Sequence, residues 1–189
     1  MSLEIEAKMR LTDRADVERR LEEAGAERGP RIVEHNTYFD TDDHRLKSSD
    51  QGLRIRVEHR DDDPQRSTLT HKGPRAHGRL KSRTETEVDV DDARAAAELL
   101  TALGYSPQLT FEKCRQRWFL DDCTIDLDTL PCIGEFIEIE GPSDDAVMQV
   151  RRRLGLADAP MIRASYIAML ISYQREHHLR EKTLKIGDH

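Results

Sequence analysis

Leu3–Met9, LEIEAKM, is the stretch whose reading decides the fold. Glu4, Glu6 and Lys8 alternate with Ile5 and Ala7, the period of a strand whose successive side chains point to opposite faces. One face is apolar, and the other lines up two carboxylates and an ammonium. The pattern recurs along the chain. Arg54 and Arg56 share a face in LRIRV (53–57), as do Arg83, Glu85 and Glu87 in RTETEVDV (83–90). Lys113, Arg115 and Arg117 do so in FEKCRQRWF (111–119), Asp126 and Asp128 in TIDLD (124–128), and Glu138 and Glu140 in FIEIEG (136–141).

Period-two segments predict strands over 3–10, 31–40, 52–60, 66–72, 79–90, 108–120, 123–128 and 134–141, with a hairpin loop at Asp61-Asp62-Asp63-Pro64. Period-3.6 segments predict helices over 13–24, 91–103, 143–154 and 164–177. Polar caps precede the helices, and Gly25, Gly104 and Gly155 end the first three. No linker splits the 189 residues, so the reading is one domain over 1–175 with a polar C-terminal tail over 176–189.

Composition narrows the function. With 37% hydrophobic and 35% charged residues the chain can build a core under a very polar surface. A net charge of -7 argues against a general nucleic-acid binder, though not against a local basic pocket. No apolar run nears the ~20 residues of a membrane span, and with strand-like sequence starting almost at residue 1 no leader is expected. Cys114, Cys123 and Cys132 lack zinc-site spacings and do not make a disulfide scaffold, so a cytoplasmic location is expected.

Two architectures satisfy the alternation. An antiparallel sheet with one solvated face would carry the charges as cross-strand ion pairs. A closed barrel would turn them inward around a polar cavity and cover its apolar faces with helices. The charges are sorted by strand, some basic and others acidic, whereas solubility alone favours mixing. Three strand-cap-helix-glycine units, carrying Glu4/Glu6, Glu85/Glu87 and Glu138/Glu140, also suggest a repeated device that brings carboxylates together. An inward-facing charged bore calls for a polyanion with divalent cations: Arg and Lys hold phosphate oxygens, and carboxylates hold Mg²⁺ or Mn²⁺.

Glu4-Ile-Glu-Ala-Lys8 resembles the ExExK signature of the CYTH, or triphosphate tunnel metalloenzyme, superfamily. NTYFDT (36–41), LRIR (53–56), THKGP (70–74), RTETE (83–87), KCR (113–115) and LDTLPCIGEFIEIE (127–140) resemble its later blocks in order. ASYIAML (164–170) is similar to the closing helix of the class IV adenylate cyclase-like branch. The resemblance implies an α+β fold, a closed antiparallel β-barrel forming a triphosphate tunnel with helices outside. It implies metal-side carboxylates at Glu4, Glu6, Asp128, Glu138 and Glu140, with Glu85 and Glu87 as helpers. Lys8, Arg54, Arg56, Lys72, Arg83, Lys113 and Arg115 would clamp the triphosphate. Lys8 is also the candidate catalytic base, on the expectation of cationic neighbours.

The implied activity is a Mg²⁺- or Mn²⁺-dependent conversion of ATP to cyclic AMP and pyrophosphate. Alternatives are hydrolysis of tripolyphosphate, thiamine triphosphate or a nucleoside triphosphate, or non-catalytic binding of such ligands. The family also suggests a homodimer, for which Tyr166, Ile167, Leu170 and Ile171 would serve unless they cover their own barrel. Glu87 and Asp126 are read equally as ion-pair partners or metal contacts, Arg117 as tunnel-mouth, His71 as outward, and Tyr38 as core. Trp118 and Phe119 are expected beneath a helix.

Overall fold

Helix ends in this chain sit where local chemistry puts them. The computed structural model describes residues 2–60, 63–76, 78 and 80–187; Asp61 and Asp62 of the expected hairpin loop, and Arg79 of the expected fifth strand, lie outside them. Helices α1 (Arg14–Glu23), α3 (Ala93–Ala102) and α4 (Asp144–Arg153) begin after Asp13, Asp92 and Ser143. Each of these caps accepts hydrogen bonds from the free N–H groups of the first turn. Gly25, Gly104 and Gly155 follow them with φ of 77°, 90° and 67°. These are left-handed conformations that cost a side-chain-bearing residue about 1–2 kcal/mol. Gly155→Ala also meets the Arg20 guanidinium, which donates to Leu154 O at 3.0 Å. Urea unfolding of Gly155→Ala is therefore expected to show a loss of about 1–2 kcal/mol; an unchanged midpoint would contradict the cap assignment.

The strands are β1 (Ser2–Arg10), β2 (Glu27–Asp40), β3 (Gly52–Arg60), β4 (Asp63–Lys72), β5 (Lys81–Asp89), β6 (Ser106–Leu120), β7 (Cys123–Leu130), β8 (Gly134–Glu140) and β9 (Thr183–Leu184). Their order is β2-β3-β4-β5-β1-β8-β7-β6-β9, and an added β2–β6 pairing closes the first eight into an antiparallel barrel. This is the α+β barrel with outer helices expected from the sequence. The three Glu-x-Glu strands, β5, β1 and β8, are consecutive in that order, so their carboxylates pool on one arc of the wall. Register sets Glu4 opposite Arg83, Glu6 between Lys81 and Glu140, and Lys8 opposite Glu138.

The outward faces of β7 and β8 are apolar and covered. Ile125, Leu127, Ile137 and Ile139 are fully buried against Val17 and Leu21 of α1 and Val147, Val150 and Leu154 of α4. Each such side chain contributes about 1.5–3 kcal/mol. Phe39 and Ile55 pack under Leu100 of α3. Helix α5 (Tyr166–Glu176) does something different. Tyr166 and Leu170 pack on Leu109, Phe111 and Phe136. Strand alternation puts these three on the same inward side as Lys113 and Glu138, so α5 covers one end of the bore. Its apolar stretch thus packs on its own barrel.

Several local features differ from expectation; β4 begins at Asp63, so Asp63 and Pro64 belong to the strand and not to the hairpin loop. Thr183–Leu184 within the polar tail forms β9 parallel to β6, with Leu184 buried; two residues carry no readable period. Helix α2 (Arg45–Ser48) is a single turn organised by Asp40, which accepts from Leu46 N and Lys47 N at 2.9 and 3.1 Å. Strand β2 starts four residues before its predicted onset, crossing a register shift between Arg28 and Arg31. Trp118 is buried as expected, but Phe119 is 40% exposed, beside Gly29. No helix among the described residues is long and apolar enough to cross a membrane.

Candidate functional site

Because the strands turn their charged faces inward, the barrel encloses a cavity of about 880 Å³. Among its described lining residues, thirteen Lys and Arg face ten Asp and Glu. A chain of net charge -7 thus gathers basic side chains around one cavity, with Glu34 and Asp128 behind the lining pairing some of them. Basic groups left without such partners suit an anion.

Arg115 is the hub of one wall. Its guanidinium donates to both oxygens of Asp128 at 2.6 Å and to Glu138 at 2.8 Å, and forms an ion pair with Asp126 at 2.5 Å. Burial opposes its charge, but Asp126, Asp128 and Glu34 outweigh burial and raise its pKa well above the usual range. Lys113 bridges Glu34 and Asp128 at 3.2 and 3.3 Å, and Tyr166 OH donates to Asp128 at 3.0 Å. Arg56 pairs with Glu34 and Glu58 at 3.2 and 3.4 Å. Burial opposes ionisation of Glu34, yet Arg56, Lys113 and Arg115 hold its pKa well below the carboxylate range.

The β5–β1–β8 arc is the acidic counterpart. Lys72 pairs with Glu85 and with Glu4, the latter at 3.4 Å; Lys81 pairs with Glu6; Lys8 pairs with Glu138 at 3.2 Å. These cations do not settle the account. Burial, with help from Glu138 and Glu4, raises the pKa of Glu6, and burial with Glu85 raises that of Glu4. Burial and then Glu4, Glu6, Asp126 and Glu85 push Glu140 up to about 7. Glu138 is the exception: burial opposes its charge, but Lys8, Arg115 and Lys113 drive its pKa far down.

Arg54 and Arg83 lack what the other interior cations have. Both are under 8% exposed, and neither Nε has a hydrogen-bond partner among the described residues. Among the described residues Arg54 reaches only Thr70, at 3.4 Å, and no carboxylate forms an ion pair with either guanidinium. A buried, unpaired charge is costly unless something satisfies it.

All seven expected phosphate clamps and all seven expected metal-side carboxylates lie on this inner surface or against it. They differ in occupancy. Asp128, with no exposure, is saturated by Arg115, Lys113 and Tyr166. Glu87 accepts from Thr70 at 2.9 Å. Arg117 pairs with Asp126 at 2.9 and 3.0 Å. Tyr38 lines the cavity and stacks on Phe111, and His71 points outward to Gln51. Lys8 stands differently from the expectation that made it a base. Its ammonium donates to Ala164 O, pairs with Glu138 and lies over the Tyr166 ring. Lys81, Glu34 and Glu58 escaped the sequence reading, and Tyr166 entered it only as part of an apolar stretch. Alternation carries the signal for the strand residues, since Lys81 precedes Arg83 by two and Glu34 shares the Tyr38 face.

A divalent cation suits the β1–β8 arc by donor chemistry, since Glu4, Glu6, Glu138 and Glu140 offer only hard carboxylate oxygens and three of them carry raised pKa values. Among the described residues no three His, Cys, Asp or Glu side chains already stand as a ligand set. Lys81 sits on Glu6 and Lys8 on Glu138, so ammonium groups hold carboxylates that a cation would take over.

The CYTH domain model matches residues 2–160. Adenylate cyclase CyaB of Aeromonas hydrophila is 32% identical over 70% of each chain. MJ0240 of Methanocaldococcus jannaschii, provisionally named an adenylate cyclase, is 24% identical over 88% of this chain and 98% of its own. Among solved structures, the PH1819 protein of Pyrococcus horikoshii superposes with a TM-score of 0.79 at 27% identity, covering 89% of this chain and 98% of that one. HpAC1 of Hippeastrum, described as having a dominant triphosphatase activity, superposes at 0.69 and 19% identity, over 89% and 95% of the two chains. With the family model spanning most of the chain and the barrel closing as it does, this protein belongs to the CYTH domain family.

Proposed function

We propose that this protein is a divalent-metal-dependent cytoplasmic enzyme that holds a triphosphate in its barrel and converts ATP to cyclic AMP and pyrophosphate. One observation carries the substrate class: among the described residues Arg54 and Arg83 are buried guanidiniums without a carboxylate ion-pair partner, in a cavity lined by thirteen Lys and Arg. Phosphate oxygens satisfy such donors through charge-assisted hydrogen bonds. The cyclase reading is favoured by the likeness to CyaB.

Glu4, Glu6, Glu138 and Glu140 would hold Mg²⁺ or Mn²⁺, which when bound supplies neutralisation of the charge on the phosphate oxygens. Arg54, Arg83 and Lys72 would bind the phosphates from the β3–β4–β5 side, and Lys8 from β1 would donate to them. Arg115, Lys113 and Asp128 would keep the opposite wall rigid. In the cyclase reaction the ribose 3′-hydroxyl attacks the α-phosphorus and pyrophosphate leaves. The second reading is a triphosphatase, in which water attacks the γ-phosphorus of tripolyphosphate, thiamine triphosphate or a nucleotide. Its support is that the same fold carries that activity in HpAC1.

Incubating the protein with ATP, tripolyphosphate or thiamine triphosphate and Mg²⁺ or Mn²⁺, then separating products, tests the reading. Cyclic AMP with pyrophosphate supports the cyclase, and orthophosphate supports the second reading. No product from any of the three contradicts an enzyme of this class.

The carboxylate arc also fixes a pH response. Glu140, Glu4 and Glu6 have folded pKa values above their ordinary 4.5, reaching about 7 for Glu140. The folded chain therefore holds protons that the unfolded chain has released, and these groups reduce metal-free stability as pH rises from 4.5 through about 7. Metal takes the deprotonated form. At fixed MnCl₂ the Mn²⁺-induced rise in Tm is expected to grow from about pH 6 to about pH 8. A shift that is flat or shrinking over that window would contradict metal binding at these carboxylates.

A further inference from the structure

We propose that Tyr166, the first residue of α5, is a positioning residue that aims the Lys8 ammonium at substrate phosphate. The inference rests on the triphosphate reading above and adds to it a part for the covering helix. An ammonium has three N–H donors on a flexible stem. In Lys8 one donates to Ala164 O at 3.0 Å, and the ammonium forms an ion pair with Glu138 Oε1 at 3.2 Å. These two contacts hold the nitrogen from one side and limit where its remaining N–H groups can point. The Tyr166 ring lies under the same nitrogen, 3.9 Å from Nζ to its centroid, and holds it by cation–π attraction.

Tyr166 can do this because it is itself immobile. Its hydroxyl donates to Asp128 Oδ2 at 3.0 Å, and Asp128 is locked by Arg115 and Lys113. Its ring meets Phe136 edge to face at 5.3 Å. Just upstream, Ile162 N donates to Lys8 O at 2.8 Å, fastening the approach to α5 onto β1. Backbone, side-chain amine and ring thus converge on one lysine from a segment more than 150 residues away in sequence. A tyrosine that only filled the end of the barrel would need neither its hydroxyl on Asp128 nor its ring face on an ammonium.

The test separates a role exercised through Lys8 from general support of the fold. Tripolyphosphate affinity with Mn²⁺ is measured by calorimetry for the wild type, Tyr166→Leu, Tyr166→Phe, Lys8→Met and the double variant Lys8→Met/Tyr166→Leu. Tyr166→Leu is expected to weaken binding about tenfold, and Tyr166→Phe, which keeps the ring, less than about threefold. In the Lys8→Met background Tyr166→Leu is expected to add no more than about twofold, because its effect runs through the missing ammonium. Equal losses in both backgrounds, with wild-type binding intact, overturn the inference and leave the triphosphate reading standing. Absence of tripolyphosphate binding by the wild type overturns both. A readout independent of any variant's folding comes from the wild type by NMR: with tripolyphosphate bound, the Lys8 ε-methylene is expected to be ring-shifted upfield, and an ordinary position overturns the inference.

Discussion

Arg115→Ala is expected to destabilise the protein by about 3–5 kcal/mol, the usual cost of removing one partner from a buried ion-pair cluster. Arg115 donates to Asp128 and Glu138 and pairs with Asp126, and all three carboxylates stay behind when it is cut away. Asp128 has no access to water, and Lys113 and Tyr166 are its remaining partners. For a chain of this size the loss corresponds to a Tm fall of roughly 10 °C or more. Urea and thermal unfolding measure it. A variant within a degree or two of the wild type would show that Arg115 is not the structural centre of this wall.

Arg83→Met should do the reverse. No carboxylate pairs with Arg83, and its Nε has no partner among the described residues, so its removal breaks no ion pair and relieves a desolvated charge. Stability is expected to hold or rise by up to about 1–2 kcal/mol, as where function keeps a strained group in place. Tripolyphosphate affinity is expected to fall about 10- to 100-fold, the worth of one or two charge-assisted hydrogen bonds. Arg54→Met should behave in the same way. Destabilisation with unchanged affinity would reverse the two assignments and make Arg83 a structural residue and Arg115 a ligand.

This contrast marks where sequence reading ends. The LEIEAKM, LRIRV and FIEIEG alternations disclosed the strands and the face each charge occupies, because the period of a strand is local. The repeated Glu-x-Glu units anticipated that carboxylates would gather, and the adjacency of β5, β1 and β8 is how they do so. Nothing local distinguishes Arg115 from Arg83. Their difference depends on which strand lies opposite in the closed barrel: Arg115 faces Asp128 across β6–β7, whereas Arg83 is set opposite Glu4, which pairs with Lys72. Tyr166 was equally hidden, since its contacts with Lys8 and Asp128 arise only when α5 folds over the end of the bore. Lys81 was within reach by alternation, two residues before Arg83.

The most direct measurement is calorimetric titration of tripolyphosphate into the wild-type protein with and without Mn²⁺. A cavity with a basic wall and an acidic arc predicts one site, with affinity tightened at least about tenfold by the metal, because the cation takes over the carboxylates while phosphate reaches Arg54 and Arg83. No binding, or binding that ignores Mn²⁺, would contradict the account.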